Sequence, residues 1–208
     1  MKEYNYYYFD FDGTLANSFP SLIHPFQVAF ATEGVFLSED DVNELMHMAF
    51  VQMCDKLGIH EEKRIFHVYE VMTSEMNKDE EISKISIFPD AKEILLKLKG
   101  MGKKIAIVSG NHTDYIHRVM EIHHLSECFD FYVGGNSTKE AKPHPEPLLK
   151  AMELSGNPGK KECIYIGDSL QDVACAENAE IDGILIDRKG EYTDYSGKKI
   201  LSLKELYD

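Results

Sequence analysis

Two acidic pairs and two short polar motifs have residue types and spacings suited to chemistry on a charged substrate. The first pair is Asp10 and Asp12, in Asp10-Phe11-Asp12-Gly13-Thr14-Leu15 at the end of a dense aromatic run from Tyr4 to Phe11. Residues two apart share a face if the strand continues, and Gly13 permits a turn behind them. Two carboxylates held together repel, and burial raises the pKa of one. The pair therefore calls for a bound cation, or for a carboxyl kept protonated for acid–base work. The second pair is Asp168 and Asp172, in Gly167-Asp168-Ser169-Leu170-Gln171-Asp172 after the apolar run that starts at Cys163. With a helix beginning near Ser169, these two lie about one turn apart. One reading makes Asp168 a helix N-cap and Asp172 a solvated first-turn acid. The other gathers four carboxylates at one edge around a hard cation such as Mg²⁺.

The polar motifs suit an anion. Ser109-Gly110-Asn111 closes the run Lys104 to Ser109, so a hydroxyl and backbone N–H groups face the start of a helix, where amides are unpaired. The alternative is an ordinary strand-to-helix turn capped by Ser109 or Asn111. Lys142-Pro143-His144-Pro145 sets a cation on a stiffened loop, where it could neutralise phosphate charge and offset the carboxylates. Its alternative is a polar loop entering a helix.

The elements that position these groups follow from the hydrophobic pattern. Tyr4–Phe11, Lys104–Ser109, Phe129–Val133, Cys163–Gly167 and Gly183–Asp187 are short apolar runs of the kind buried on both faces of a parallel sheet. Helical patterns separate the later ones: Ile94, Leu95 and Leu98 after Pro89-Asp90; Tyr115, Ile116, Val119 and Ile122; Leu148, Leu149, Met152 and Leu154; and Val173, Ala174, Ala176 and Ala179. Alternating strands and helices predict a Rossmann-like α/β parallel sheet with right-handed crossovers. In such sheets ligands gather at the carboxyl ends of strands, where the acidic pairs lie.

Residues from about Phe19 to Ser86 break the alternation. Ser38-Glu39-Asp40-Asp41 resembles a helix-start box, with Val42, Leu45, Met46, Ala49 and Met53 as the stripe that follows, and Glu61 to Met76 reads as another helix. This stretch is expected to be an all-helical insertion, its methionines serving helix packing. Arg188 to Asp208 reads as a polar loop and a short terminal helix.

The 208 residues, 43% hydrophobic and 28% charged, suit one globular domain with an inserted module rather than a disordered or fibrous chain. With 22 Lys and Arg against 36 Asp and Glu, the formal net charge of −14 disfavours nucleic acid and anionic lipid as partners. No apolar stretch is long enough to cross a bilayer, and the N-terminus carries no secretory pattern. Cys54, Cys128, Cys163 and Cys175 form no C-x-x-C pair, which fits reduced, mostly buried thiols in a cytoplasmic protein. Of the nine histidines, His112, His117, His123 and His124 lack a metal-ligand spacing, and His144, beside Lys142, is the one placed near the site. His24, His47, His60 and His67 fall in the insertion, where any could face a substrate and a structural role is the default, while Lys56, Lys63, Arg64, Lys78 and Lys84 are candidate anion contacts whose default is solvated helix surface.

In order along the chain, the four motifs resemble those of the haloacid dehalogenase-like hydrolase superfamily. The helical insertion resembles the C1-type cap of its phosphoglycolate phosphatase and β-phosphoglucomutase branch. The resemblance implies a core of residues 1–16 and 87–208 and a cap of 17–86 that closes over the site and selects the leaving group. It implies that Asp10 is the nucleophile and Asp12 the general acid and then base. Mg²⁺ would be held by Asp10, the Asp12 carbonyl and Asp168, with Asp172 completing or orienting that shell. Thr14, Ser109, Gly110 and Lys142 would hold the phosphoryl oxygens. The expected activity is hydrolysis of a small phosphomonoester through an aspartyl-phosphate, by a monomer or weak dimer. A phosphosugar mutase and an inorganic pyrophosphatase use the same core chemistry, and a non-enzymatic phospho-accepting module is the reading from another class. An acid at Asp12 favours phosphoryl transfer over dehalogenation. Gly110-Asn111 stands where many phosphoglycolate phosphatases carry Asn-Lys.

Overall fold

The computed structural model describes residues 2–46, 48 and 50–207. His47 and Ala49, both read above as part of the insertion, lie outside the described residues. The chain opens with β1 (Tyr6–Phe9) and a two-residue strand β2 (Ala16–Asn17). Helices α1 (Phe19–Ala31), α2 (Glu39–Leu45), α3 (Phe50–Lys56), α4 (Glu62–Met76) and α5 (Asp79–Ile82) follow, and then β3 (Ser86–Ile87). From there helices and strands alternate: α6 (Pro89–Gly100), β4 (Lys104–Val108), α7 (Thr113–Ile122), β5 (Phe131–Val133), α8 (Glu146–Leu154), β6 (Cys163–Gly167), α9 (Leu170–Asn178), β7 (Asp182–Ile186) and β8 (Lys199–Ile200). The chain divides into two compact units, Met1–Asn17 with Ile87–Asp208, and Ser18–Ser86.

In the first unit, β5-β4-β1-β6-β7-β8 form a six-stranded sheet in which every pairing is parallel. This is the Rossmann-like α/β architecture expected from the alternating pattern. Strand β1 is central and buried on both faces, with Tyr7, Tyr8 and Phe9 all inaccessible, which explains its unbroken aromatic run. One face packs Tyr8, Ala106, Val108 and Tyr165 against Leu148, Ala151, Met152, Cys175 and Ala176 of α8 and α9.

Register is what matters for the site. Phe9 lies opposite Ile107 on β4 and Ile166 on β6. The three strands therefore end level, and Asp10, Ser109 and Asp168 leave the sheet at the same edge. Strand order reverses at β1, the switch point at which open α/β sheets leave a crevice for ligands. A separate two-stranded sheet pairs β2 with β3.

The second unit is helical, with Phe26, Phe30, Val42, Leu45, Met53, Ile59, Val68 and Met72 in its core. Met53 and Met72 are buried there, so the methionine stripe serves packing. The box at Ser38 forms: Ser38 Oγ accepts from the Asp41 N–H, and Asp41 accepts from the Ser38 N–H at 2.8 Å. The stripe it begins is not one helix. The chain turns after α2, with the Met46 N–H bonded to Val42 O and the Met48 N–H to Leu45 O, and a new helix starts at Phe50. An apolar repeat can run across a turn when both short helices face one core. Lys56, Arg64, Lys78 and Lys84 pair with Glu44, Glu33, Glu75 and Glu81.

The sequence differs from the structure most at the C-terminus. Lys199–Ile200 adds β8 to the edge of the sheet beside β7, and the expected terminal helix is a single 3₁₀ turn over Leu203–Leu206. Two residues are too few to carry an alternating pattern.

Candidate active site

The site forms where β1, β4 and β6 end. Asp10 continues β1, its N–H donating to Ile166 O at 2.8 Å. The chain then turns sharply. Gly13 has φ +69°, and a Cβ there would lie 2.0 Å from Asp168 Oδ2, so only glycine lets this turn and Asp168 approach so closely. Asp168 follows β6, and Asp172 lies in the first turn of α9. One carboxylate oxygen from each of Asp10, Asp168 and Asp172 lies within 4.8 Å of the others.

The helix-start reading of the second pair is corrected in detail. The N-cap of α9 is Ser169 rather than Asp168, and Asp172 is its reciprocal partner. Ser169 N–H and Oγ donate to Asp172 Oδ2 at 3.0 and 2.6 Å, and Asp172 N–H returns to Ser169 Oγ. Asp172 is therefore buried rather than solvated, and Asp168 keeps its carboxylate for the acidic cluster. A Cβ on Gly167 would lie 2.3 Å from the Asp172 carboxyl carbon, a second close approach that only glycine permits.

Lys142 reaches into this cluster from the loop before α8. Its Nζ donates to Asp10 Oδ1 at 2.7 Å, Asp172 Oδ1 at 2.5 Å and the Tyr165 hydroxyl at 3.1 Å. Tyr165 is a site residue that the sequence alone does not single out. Its ring belongs to the β6 core, while its hydroxyl lies 2.8 Å from Val108 O and 3.0 Å from Asp172 Oδ1. In an apolar strand, nothing short of the fold shows that one tyrosine ends against a lysine. His144 does not enter the cluster: it is exposed, and its Nδ1 accepts the Glu146 N–H at the start of α8.

Charge in the cluster is unevenly balanced. Burial raises the Asp10 carboxyl well above its ordinary range, against the pull of Lys142, and Asp172, Asp168 and Asp12 push it further up. Burial, reinforced by Asp172, pushes Asp168 up to about 7. Burial also works against the Asp172 carboxylate, but Lys142 and Ser169 outweigh it and hold that group down. For Lys142, desolvation would favour loss of the proton, but Asp10, Tyr165 and Asp172 overcome it and keep the ammonium charged. Three converging carboxylates, short of positive charge and offering only oxygen, suit a hard divalent cation such as Mg²⁺.

The anion-binding candidates lie around this cluster. Ser109 is buried at the end of β4, and Gly110 is exposed after it. Thr14 is fully buried, and its Oγ1 has no hydrogen-bond partner among the described residues. Asn111 caps no helix: His112 holds the N-cap position of α7, and Asn111 Nδ2 donates to Asp12 Oδ2 at 2.6 Å. The turn carrying Asp12 is gripped from behind by Arg188, which follows β7. Its Nε and Nη2 donate to Gly13 O and Thr14 O at 3.1 and 2.7 Å, its Nη1 to Asp90 Oδ2 at 2.9 Å, and its guanidinium lies 3.8 Å from the Phe88 ring centre.

The four cysteines are buried and free. Among the described residues, the acidic triad is the one group of potential metal ligands, so no histidine joins one. No helix among them is long and apolar enough to cross a membrane.

Residues 7–186 match the haloacid dehalogenase-like hydrolase family. Over 97 residues the chain is 35% identical to a protein named as a pyrophosphatase from Caldanaerobacter subterraneus, a match covering 47% of this chain and 44% of that one. It is 29% identical over 192 residues to a phosphoglycolate phosphatase of Psychrobacter arcticus, covering 84% of this chain and 79% of that one. A crystal structure described as a haloacid dehalogenase-like hydrolase from Bacteroides fragilis superposes with a TM-score of 0.86 at 26% identity. That match covers 98% of this chain and 100% of the other.

Proposed function

The chain belongs to the haloacid dehalogenase-like hydrolases and is an enzyme, and from that premise we propose that it hydrolyses a small phosphomonoester through an aspartyl-phosphate. The observation that carries this reading is the meeting of Asp10, Asp168, Asp172 and Lys142 at one sheet edge. Relatives named as phosphoglycolate phosphatase and pyrophosphatase support phosphorus as the atom attacked.

In the proposed reaction an Asp10 carboxylate oxygen attacks phosphorus, and the bond from phosphorus to the ester oxygen breaks. The departing oxygen takes a proton from the Asp12 carboxyl. Asp12, now a carboxylate, accepts a proton from water as that water attacks phosphorus, and Asp10 leaves as a carboxylate. Ser109 Oγ, the Gly110 N–H, the unpartnered Thr14 hydroxyl and the Lys142 ammonium are assigned to the phosphoryl oxygens. Asp10, the Asp12 carbonyl and Asp168 would hold Mg²⁺, with Asp172 orienting them. That ion supplies charge neutralisation for a transferring phosphoryl group. Lys142 is the shared element: it offsets Asp10 and Asp172 and also points a cation at the site of charge transfer.

We assign residues 17–86 the role of a cap that sets which ester is accepted, and residues 1–16 and 87–208 the chemistry. The setting we propose is the cytoplasm, in keeping with four free thiols, and the substrate a phosphorylated metabolite. Pyrophosphate hydrolysis is the second reading, favoured by the name of the Caldanaerobacter relative.

The test is Asp10→Asn. Folded protein with no phosphate release from a panel of phosphomonoesters and pyrophosphate is the expected result. Near-normal turnover would overturn the assignment, and comparing the two substrate types in wild type separates the two readings.

A further inference from the structure

The Asn111 amide is bonded to Asp12, and its backbone is fixed from several sides. Asn111 Nδ2 donates to Asp12 Oδ2 at 2.6 Å, joining the loop after β4 to the turn after β1. The Asn111 N–H turns back to Ser109 Oγ at 3.2 Å, and Asn111 O accepts the Gly135 N–H at 2.8 Å. Two glycines after β5 let the neighbouring chain close on this loop. A Cβ on Gly134 would lie 2.5 Å from Asn111 O, and one on Gly135 would lie 2.3 Å from Gly110 O. Such packing fixes the Asn111 backbone, and a fixed backbone restricts where a short amide side chain can reach.

We infer that Asn111 is a positioning residue that aims the Asp12 carboxyl at the leaving-group oxygen, an inference that rests on the proposed role of Asp12. A carboxyl group rotates about one bond, and its proton must lie on the ester oxygen as the bond to phosphorus breaks. Anchoring one carboxyl oxygen fixes the direction of the other. An amide suits this task better than a cation. It anchors one carboxyl oxygen by a directional donated hydrogen bond and adds no charge to the cluster. Ser109, two residues earlier, would meanwhile hold a phosphoryl oxygen, so one short loop would steer both ends of the bond being broken.

The inference separates Asn111 from residues that only hold the fold. Loss of aim matters in proportion to how much the leaving group needs a proton. The measurement is kcat/KM of Asn111→Ala and Asn111→Ser across p-nitrophenyl phosphate, phenyl phosphate and β-glycerol phosphate, with unfolding midpoints for both variants. We expect a loss that grows from under tenfold on the nitrophenyl ester to about a hundredfold on the alkyl ester. The serine variant, which keeps a short polar group, serves if the alanine variant melts early. A loss equal on all three esters, or none on the alkyl ester, overturns the positioning role. Failure of the broader reading is distinguishable, because it shows as turnover by Asp10→Asn.

Discussion

Gly13 and Asp168 are in contact: a single methyl group on Gly13 would lie 2.0 Å from Asp168 Oδ2. The first acidic motif and the last are thus fitted against each other with no space between them. Gly13→Ala should push Asp168 out of the cluster and lower kcat/KM about a hundredfold, while adding a left-handed backbone penalty of ~1 kcal/mol. Gly102→Ala is the matched control, since Gly102 also has positive φ, at +71°, but nothing lies within 4 Å of its missing Cβ. Equal activity losses in the two variants would show that backbone strain, and not the displaced carboxylate, is responsible.

Asp90 and Arg188 form a strut against the turn that carries Asp12. Burial alone would raise the Asp90 carboxyl, but Arg188, Ser202 Oγ and the Leu203 N–H outweigh it and hold it below its ordinary value of 3.8. A carboxyl depressed in the folded state stabilises it at pH values above the unfolded pKa, and this contribution is lost as pH falls through the folded pKa. Asp90→Asn should cost about 2 kcal/mol at pH 7. That gap from wild type should close as pH drops below about 3.8. Urea unfolding of both proteins from pH 7 to pH 3 gives the gap directly, and a gap independent of pH would show that the charge on Asp90 contributes nothing.

A divalent ion that binds only the folded acidic cluster must also stabilise the fold. At a hundred times its Kd the gain is about 2.7 kcal/mol, or roughly 5–10 °C in Tm for a chain of this size. Melting in Mg²⁺ and in EDTA should show this shift for wild type and lose it for Asp168→Asn. A shift of full size in that variant would place the ion elsewhere.

Much of the fold and the location of the site could be read from the sequence, because all the candidate groups but Lys142 lie at or soon after the ends of short apolar runs, and the runs recur between helices. Asp10, Ser109 and Asp168 leave the ends of β1, β4 and β6, and parallel pairing in register brings them level. What escaped depends on contacts that local pattern does not encode. Tyr165 reads as one more apolar strand residue until the facing helix and loop bring Asp172 and Lys142 to its hydroxyl. Arg188 sits in a polar loop after β7, and its grip on Gly13 and Thr14 spans almost the whole chain. Ser169 displaced Asp168 as N-cap because the reciprocal bonds with Asp172 use the residue directly before the helix. Asn111 offered a cap by residue type, but its backbone is drawn toward Gly135 and its amide toward Asp12.

The central place of β1 bears on how the protein is made. Its buried aromatic residues leave the ribosome well before both neighbours, β4 and β6, which are encoded far downstream. Until Cys163–Gly167 has been translated, one edge of the Tyr6–Phe9 strand has no native partner, and its side chains lack part of their cover. Nascent chains truncated before β6 should therefore bind chaperones or aggregate. Asp168 and Asp172 directly follow β6, so pairing of that strand covers β1 and brings the second acidic pair to the edge where Asp10 waits.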